Sequence, residues 1–211
     1  MARFARGSAP WLLAPVTLAV VLVAYGLQSK DVWPFVAAVL PLLVFAFFIV
    51  FFRDPDRLAS EGIASPADGT VSFIDEVDDP DLGRVERFSI FMSPKDVHVN
   101  RYPVDGTVVS VLHKPGGHVP AFNKEAERNE RVETLLATAH GRVKVIQIAG
   151  TVARRIVPYH KAGEAAVKGE RFGLIRLGSR CDILVAPGTV RWTVPPGTQV
   201  YAGTTSLGAF K

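Results

Sequence analysis

Two long runs without a single charged residue dominate the first quarter of this chain. Residues 9–27 read APWLLAPVTLAVVLVAYGL and residues 32–52 read VWPFVAAVLPLLVFAFFIVFF. A helix rises about 1.5 Å per residue, so each run matches the roughly 30 Å hydrocarbon core of a bilayer, a length that an ordinary core helix does not need. Gln28, Ser29, Lys30 and Asp31 alone separate them, which predicts a helical hairpin. A cleaved signal peptide is one competing reading of the first run, since Arg3 and Arg6 precede it, but no small-residue cleavage site leads into a polar mature sequence, and a purely interfacial helix pair is the other. Arg3 and Arg6 lie before the hairpin, Arg53 and Arg57 after it, and the turn carries one Lys and one Asp. Cationic flanks stay cytoplasmic, so everything after Phe52 is expected on the cytoplasmic side of the cell (inner) membrane.

The domain organisation that follows is an anchoring hairpin with its flanks at residues 1–57 and a single domain at 58–211. In the second part, short runs rich in Val, Ile, Phe and Thr (70–77, 87–92, 106–112, 142–149, 172–176, 182–185, 189–193) alternate with Gly, Pro and Asp. That texture predicts a mainly β domain. Asp68-Gly69-Thr70-Val71 is echoed by Asp105-Gly106-Thr107-Val108, and Pro-Gly-Thr occurs at 187–189 and 196–198. Paired tight turns feeding strands resemble the barrel-sandwich hybrids of lipoyl and biotinyl domains. The one helix candidate here is Ala121 to Ala139, whose irregular apolar positions and interruptions at Asn123 and Asn129 predict half loop and half helix. The net charge of +4 is spread over both parts, which gives no nucleic-acid footprint. A single cysteine, Cys181, excludes a disulfide framework and a thiolate metal cluster and suits a reducing compartment.

Phosphate-loop, dinucleotide-binding and zinc motifs are absent, and no metal is expected. His113 and His118 flank a Pro-Gly-Gly turn, and His140 and His160 lie among polar residues; all four read as solvated loop histidines. His98 is different, because it lies in FMSPKDVHVN (91–100), a strand leading through a Ser-Pro turn. Upstream is SPADG (65–69), with Asp68 in a tight turn. Downstream is RFGLIRLGSR (171–180), where Gly178-Ser179 interrupts what otherwise reads as one strand running to Val185. Glycine inside a strand pattern marks a bulge or a close backbone approach.

Taken in order, SPADG, FMSPKDVHVN, the Asn129-Glu130-Arg131 triplet, RFGLIRLGS followed by APG, and FRDP at 52–55 resemble the short form of the phosphatidylserine decarboxylase family, over nearly all of the second part. The resemblance implies a pyruvoyl enzyme that cuts itself between Gly178 and Ser179. The precursor would become a β chain, 1–178, and an α chain, 179–211, held as a heterodimer, with Ser179 converted to the covalent pyruvoyl cofactor. It also implies a substrate, phosphatidylserine in the membrane, decarboxylated to phosphatidylethanolamine through a Schiff base. A further homo-oligomer of the two-chain unit is compatible with this.

The residue types suit those roles. A serine hydroxyl needs a base, for which His98 is the candidate, with Asp68 expected to orient the imidazole. Glycine at 178 leaves room for attack on its carbonyl. His98 is also the candidate to protonate the carbanion. Arg154, Arg155, Lys168 and Arg171 are cations able to meet a lipid phosphate. Two departures from the longer family members stand out: Gly-Ser is followed by Arg180 rather than Thr, and Arg101 occupies the place of a second His. Two alternatives stand beside this reading. One is a membrane-anchored Ser179/His98/Asp68 hydrolase that keeps an intact chain; the other is a carrier module, for which Lys168-Gly169 is a poor modification hairpin.

Overall fold

The apolar runs fold into helices α1 (Ala9–Ser29) and α2 (Trp33–Phe51), each with a proline in its first turn, where a missing N–H costs no hydrogen bond. Lys30 ends α1 in the left-handed conformation (φ 61°), donating its N–H to the Gly26 carbonyl at 2.9 Å. Gly26 lies directly against the Phe35 ring, where a Cβ would stand 2.8 Å from a ring carbon. Trp11 meets Phe48 edge to face at 5.7 Å. Most of the remaining apolar surface faces outward: Leu27 is 70% and Leu40 68% exposed. Burying one such side chain is worth about 1.5–3 kcal/mol, so this hairpin suits hydrocarbon surroundings, and both helices are long and apolar enough to cross a membrane.

The computed structural model describes residues 4–117, 119–121, 123–151, 155–176 and 179–211. Two units emerge, 1–55, which holds the hairpin, and 56–211. The second contains β1 (Ile63–Ala64), β2 (Gly69–Asp79), β3 (Gly83–Met92), β4 (Val99–Arg101), β5 (Gly106–Lys114), β6 (Arg131–Thr138), β7 (Gly141–Ala149), β8 (Ile156–Pro158), β9 (Ala165–Ala166), β10 (Arg171–Ile175), β11 (Ser179–Val185), β12 (Val190–Trp192), β13 (Gln199–Val200) and β14 (Ser206–Phe210). One curled sheet runs β13-β2-β3-β11-β7-β6-β5-β9; β4-β10-β8 and β1-β14-β12 form two smaller sheets. The mainly β fold with an N-terminal helical hairpin is the one its sequence pattern predicts.

Strand periodicity sorts the residues of the large sheet. Phe88, Ile90 and Met92 of β3 and Cys181, Ile183 and Val185 of β11 enter the main core with Val143 and Val145 of β7. The alternate positions, Arg87, Arg180 and Asp182 among them, take the other face, where Arg180 reaches Asp182 at 2.9 Å and Arg87 clasps Asp75 and Glu127. At the start of β2, Gly69 (φ 151°) packs against the Phe91 carbonyl, and any Cβ there would strike it.

Two sequence readings meet the structure differently. The expected break near Gly178-Ser179 is real: β10 ends at Ile175 between β4 and β8, whereas β11 starts at Ser179 between β3 and β7, so the chain changes sheets between them. The helix expected over 121–139 is a correction. Lys124–Arg128 makes one 3-10 turn, and Arg131–Thr138 is strand β6, paired with β5 and β7. Pairing on both edges overrides a local composition rich in helix formers, and Glu133, which reads as solvent-facing, is buried among Arg131, Lys114 and Lys144.

Candidate active site

Ser179 opens β11 at a fully buried position, opposite Met92 of β3 and Ala149 of β7. Its side chain shares the core face with Cys181, and Oγ lies 3.3 Å from Met92 Sδ. Sulfur is a weak acceptor, so the hydroxyl is positioned without being strongly held. The same sulfur receives Asn100 Nδ2 of β4 at 3.7 Å, and Asn100 Oδ1 accepts from Gln147 Nε2 at 2.8 Å. Asn100 and Gln147 are fully buried, and Gln147 Oε1 has no hydrogen-bond partner among the described residues. A polar island thus sits in an otherwise apolar core. Gly173 of β10 allows the small sheet to approach it, since a Cβ there would stand 2.7 Å from Gln147 Nε2.

His98 precedes β4 by one residue, is wholly buried, and accepts the Ile175 N–H on its carbonyl at 3.2 Å. It stands two residues before Asn100, the spacing that repeats one face of an extended segment. The Ser93-Pro94-Lys95-Asp96 turn prepares it. The Asp96 carboxylate takes the Ser93 N–H and hydroxyl at 2.8 and 2.7 Å, which leaves the Asp96 carbonyl 2.9 Å from His98 Nδ1. A carbonyl only accepts, so Nδ1 carries the proton, and in the neutral ring Nε2 holds the basic lone pair.

Asp68, expected to orient the imidazole, has the following partners among the described residues. Its carboxylate is grasped through both oxygens by Arg57, and it accepts the Ala202 N–H at 2.8 Å; Arg57 also donates to the Ala202 carbonyl at 3.0 Å. Asp68 therefore ties residue 57 to the 201–205 turn, and the Asp96 carbonyl faces the imidazole at Nδ1. The physical reason is charge: a buried carboxylate gains more from a bidentate guanidinium than from a neutral ring. Among the described residues Ser179 Oγ makes its contact with Met92 and none with His98.

Other sequence candidates have structural partners. Arg101, in the place of a second His, donates to the Gly169 carbonyl at 2.7 Å and brings no base to the site. Asn129 is fully buried and donates to the carbonyls of Ala149, the cross-strand partner of Ser179, and Val119. Arg171 pairs with Asp56, and Lys168 donates to the Gly62 carbonyl. His113 bonds Glu130, His160 bonds the Tyr102 hydroxyl, and His140 stacks on Phe210. Burial pushes the Cys181 thiol well up, so it stays protonated and unreactive. Gly178, Arg154 and His118 lie outside the described residues. Met92, Gln147 and the Asp96 carbonyl escaped the sequence reading; the Asp96 carboxylate's Asx-type partner, Ser93 three residues before it, was the available signal.

Fold and site describe a mainly β domain in which Ser179, His98, Asn100 and Gln147 are buried. A family model described as phosphatidylserine decarboxylase matches residues 44–208. The chain is 47% identical over 209 residues to a phosphatidylserine decarboxylase proenzyme of Thermobifida fusca, covering 97% of this chain and 92% of that protein. It is 48% identical over 206 residues to the proenzyme of the same name from Streptomyces griseus, covering 97% and 93%. The chain belongs to the phosphatidylserine decarboxylase family and is a decarboxylase.

Proposed function

We propose that this protein decarboxylates phosphatidylserine to phosphatidylethanolamine, using a pyruvoyl group that it makes by cutting its own chain between Gly178 and Ser179. The observation that carries the reading is the complete burial of Ser179 at a point where the chain changes sheets. In the uncleaved chain a nucleophile buried in the core meets its own backbone before any external ester, which argues against the hydrolase alternative, and the cut that frees the Ser179 end of the strand is what admits the lipid headgroup. The proenzyme names of the relatives support the same reading.

The steps follow from the groups present. His98 Nε2 takes the Ser179 hydroxyl proton as Oγ leaves Met92 Sδ and attacks the Gly178 carbonyl. The amide becomes an ester; loss of the Ser179 α-proton expels the carboxylate of residue 178, and the remaining dehydroalanine hydrolyses to the pyruvoyl group and ammonia. The residues near Ser179 fit that group, since Asn100 shares the Met92 sulfur with Ser179, Gln147 bonds Asn100, and the unsatisfied Gln147 Oε1 suits the N–H of a substrate amine. The pyruvoyl carbonyl supplies the electron sink for the pair released as carbon dioxide departs. His98 returns a proton to the substrate carbon. Asp68 anchors Arg57 to the 201–205 turn. The helical hairpin holds the enzyme at the cytoplasmic face of the cell membrane, where the substrate headgroup is presented.

The test is release of carbon dioxide from phosphatidylserine labelled in the serine carboxyl, in detergent micelles. Cleaved wild-type protein releases it, and Ser179→Ala, remaining one chain, does not. A cleaved protein that releases none overturns the reading.

A further inference from the structure

The ladder between β8 and β10 pairs Pro158 with Gly173, Val157 with Leu174 and Ile156 with Ile175. One step further it sets Arg155 opposite Arg176, whose backbone N–H reaches the Arg155 carbonyl at 3.4 Å. Directly opposed like charges destabilise a strand pair, and side chains in such a pair stand about 5.5 Å apart. Burial and then the Arg155 charge both hold the Arg176 guanidinium below its ordinary range. Arg155 lines a surface cavity of about 360 Å³ with Val111, Val132, Ile156, His113 and Glu130, and the Glu130 carboxylate is already engaged by His113 Nε2 at 3.0 Å. Two guanidinium groups brought side by side concentrate positive charge at one place, which a bound anion would complement.

We infer that Arg155 and Arg176 form the subsite for the phosphodiester of the lipid headgroup. The inference rests on the decarboxylase reading given above. Arg176 is three residues before Ser179, so their Cα atoms are at most about 11 Å apart along the chain, a gap that an arginine side chain and a phosphoserine headgroup span together. The phosphodiester rather than the carboxylate is the matching anion. Guanidinium groups on the carboxylate would stabilise the charge that must leave, whereas the phosphate keeps its charge throughout the reaction. Two cations also suit two non-bridging phosphate oxygens. The apolar wall of Val111, Val132 and Ile156 suits the glycerol and the start of the acyl chains.

The test compares mature wild type with Arg155→Gln, Arg176→Gln and Arg155→Lys in micelles of phosphatidylserine. In each Gln variant KM rises about tenfold or more with kcat within about threefold, and competitive inhibition by water-soluble glycerophosphoserine weakens in parallel; Arg155→Lys is intermediate. Unchanged KM and unchanged inhibition overturn the inference. Inhibition of wild type by glycerophosphoserine and not by inorganic phosphate assigns the diester headgroup, equal inhibition by both assigns the phosphoryl group alone, and inhibition by neither refutes the subsite. Where a Gln variant stays uncleaved, phenylglyoxal labelling of wild type decides: glycerophosphoserine protects Arg155 and Arg176, and labelling at an unchanged rate overturns the assignment. If wild type releases no carbon dioxide, the decarboxylase reading has failed, while the protection experiment still reads the phosphate subsite.

Discussion

Replacing Asp68 by Asn separates an anchoring from a catalytic use of this carboxylate. The amide oxygen retains the Ala202 N–H bond, but the charge opposite Arg57 is lost and one guanidinium arm faces an amide N–H. Removing one partner of a buried ion pair costs about 3–5 kcal/mol. Arg57 keeps 14% of its side-chain surface in water, which relieves part of that cost and brings the expected loss to about 2–3 kcal/mol. For a domain of this size that lowers Tm by about 5–10 °C. The assay is thermal unfolding followed by near-ultraviolet circular dichroism in detergent, with hydrogen exchange at residues 199–205. Arg57→Met shows a matching loss, and the double variant loses less than the two singles combined. An Asp68→Asn protein that melts within 1 °C of wild type (a shift on the order of the measurement error) yet fails to cleave would refute the anchoring argument and return Asp68 to the imidazole.

Three further outcomes are expected. Gly173→Ala pushes into the Gln147 amide and breaks its bond to Asn100, slowing cleavage about tenfold or more, as gel analysis of a time course will show; an unchanged rate means the two sheets separate freely. Burial raises the Glu133 carboxyl, but bonds from Lys114 and Arg131 outweigh it and leave the folded pKa below the ordinary 4.5. Its stabilisation is therefore complete above pH 4.5 and lost as pH falls through the lower folded value, so Glu133→Gln flattens the acid limb of a stability curve, and an unaltered limb refutes the assignment. Because β11 is paired along its length with β3 and β7, chains 1–178 and 179–211 should co-elute in native detergent and part only in denaturant; separation without denaturant contradicts the sheet order.

Much of this architecture was legible because it rests on local composition. Uninterrupted apolar runs declared the hairpin, runs rich in β-branched and aromatic residues between Gly, Pro and Asp declared β2, β3, β7 and β11, and a Gly-Ser step in a strand-like run marked the place where the chain passes from one sheet to another. What stayed hidden depends on pairing between distant residues. β6 falls in the stretch 121–139 that reads as half loop and half helix, and only the folded sheet brings Lys114 and Lys144 to Glu133. Asp68 and His98 suggest a catalytic pair by residue type, yet Arg57 is the stronger partner for a buried carboxylate, and a backbone carbonyl, invisible to residue-type reasoning, sets the imidazole. Gln147 carries no motif at all; its place beside Asn100 follows from the packing of β10 against β7.

The central claim, that this chain makes its own reactive carbonyl at Ser179, is tested most directly by the intact mass of the purified protein under denaturing conditions. The account predicts two species, residues 1–178 and residues 179–211, the latter beginning with a pyruvoyl group in place of serine. A single species at 22.9 kDa that persists in preparations releasing carbon dioxide from phosphatidylserine would contradict it.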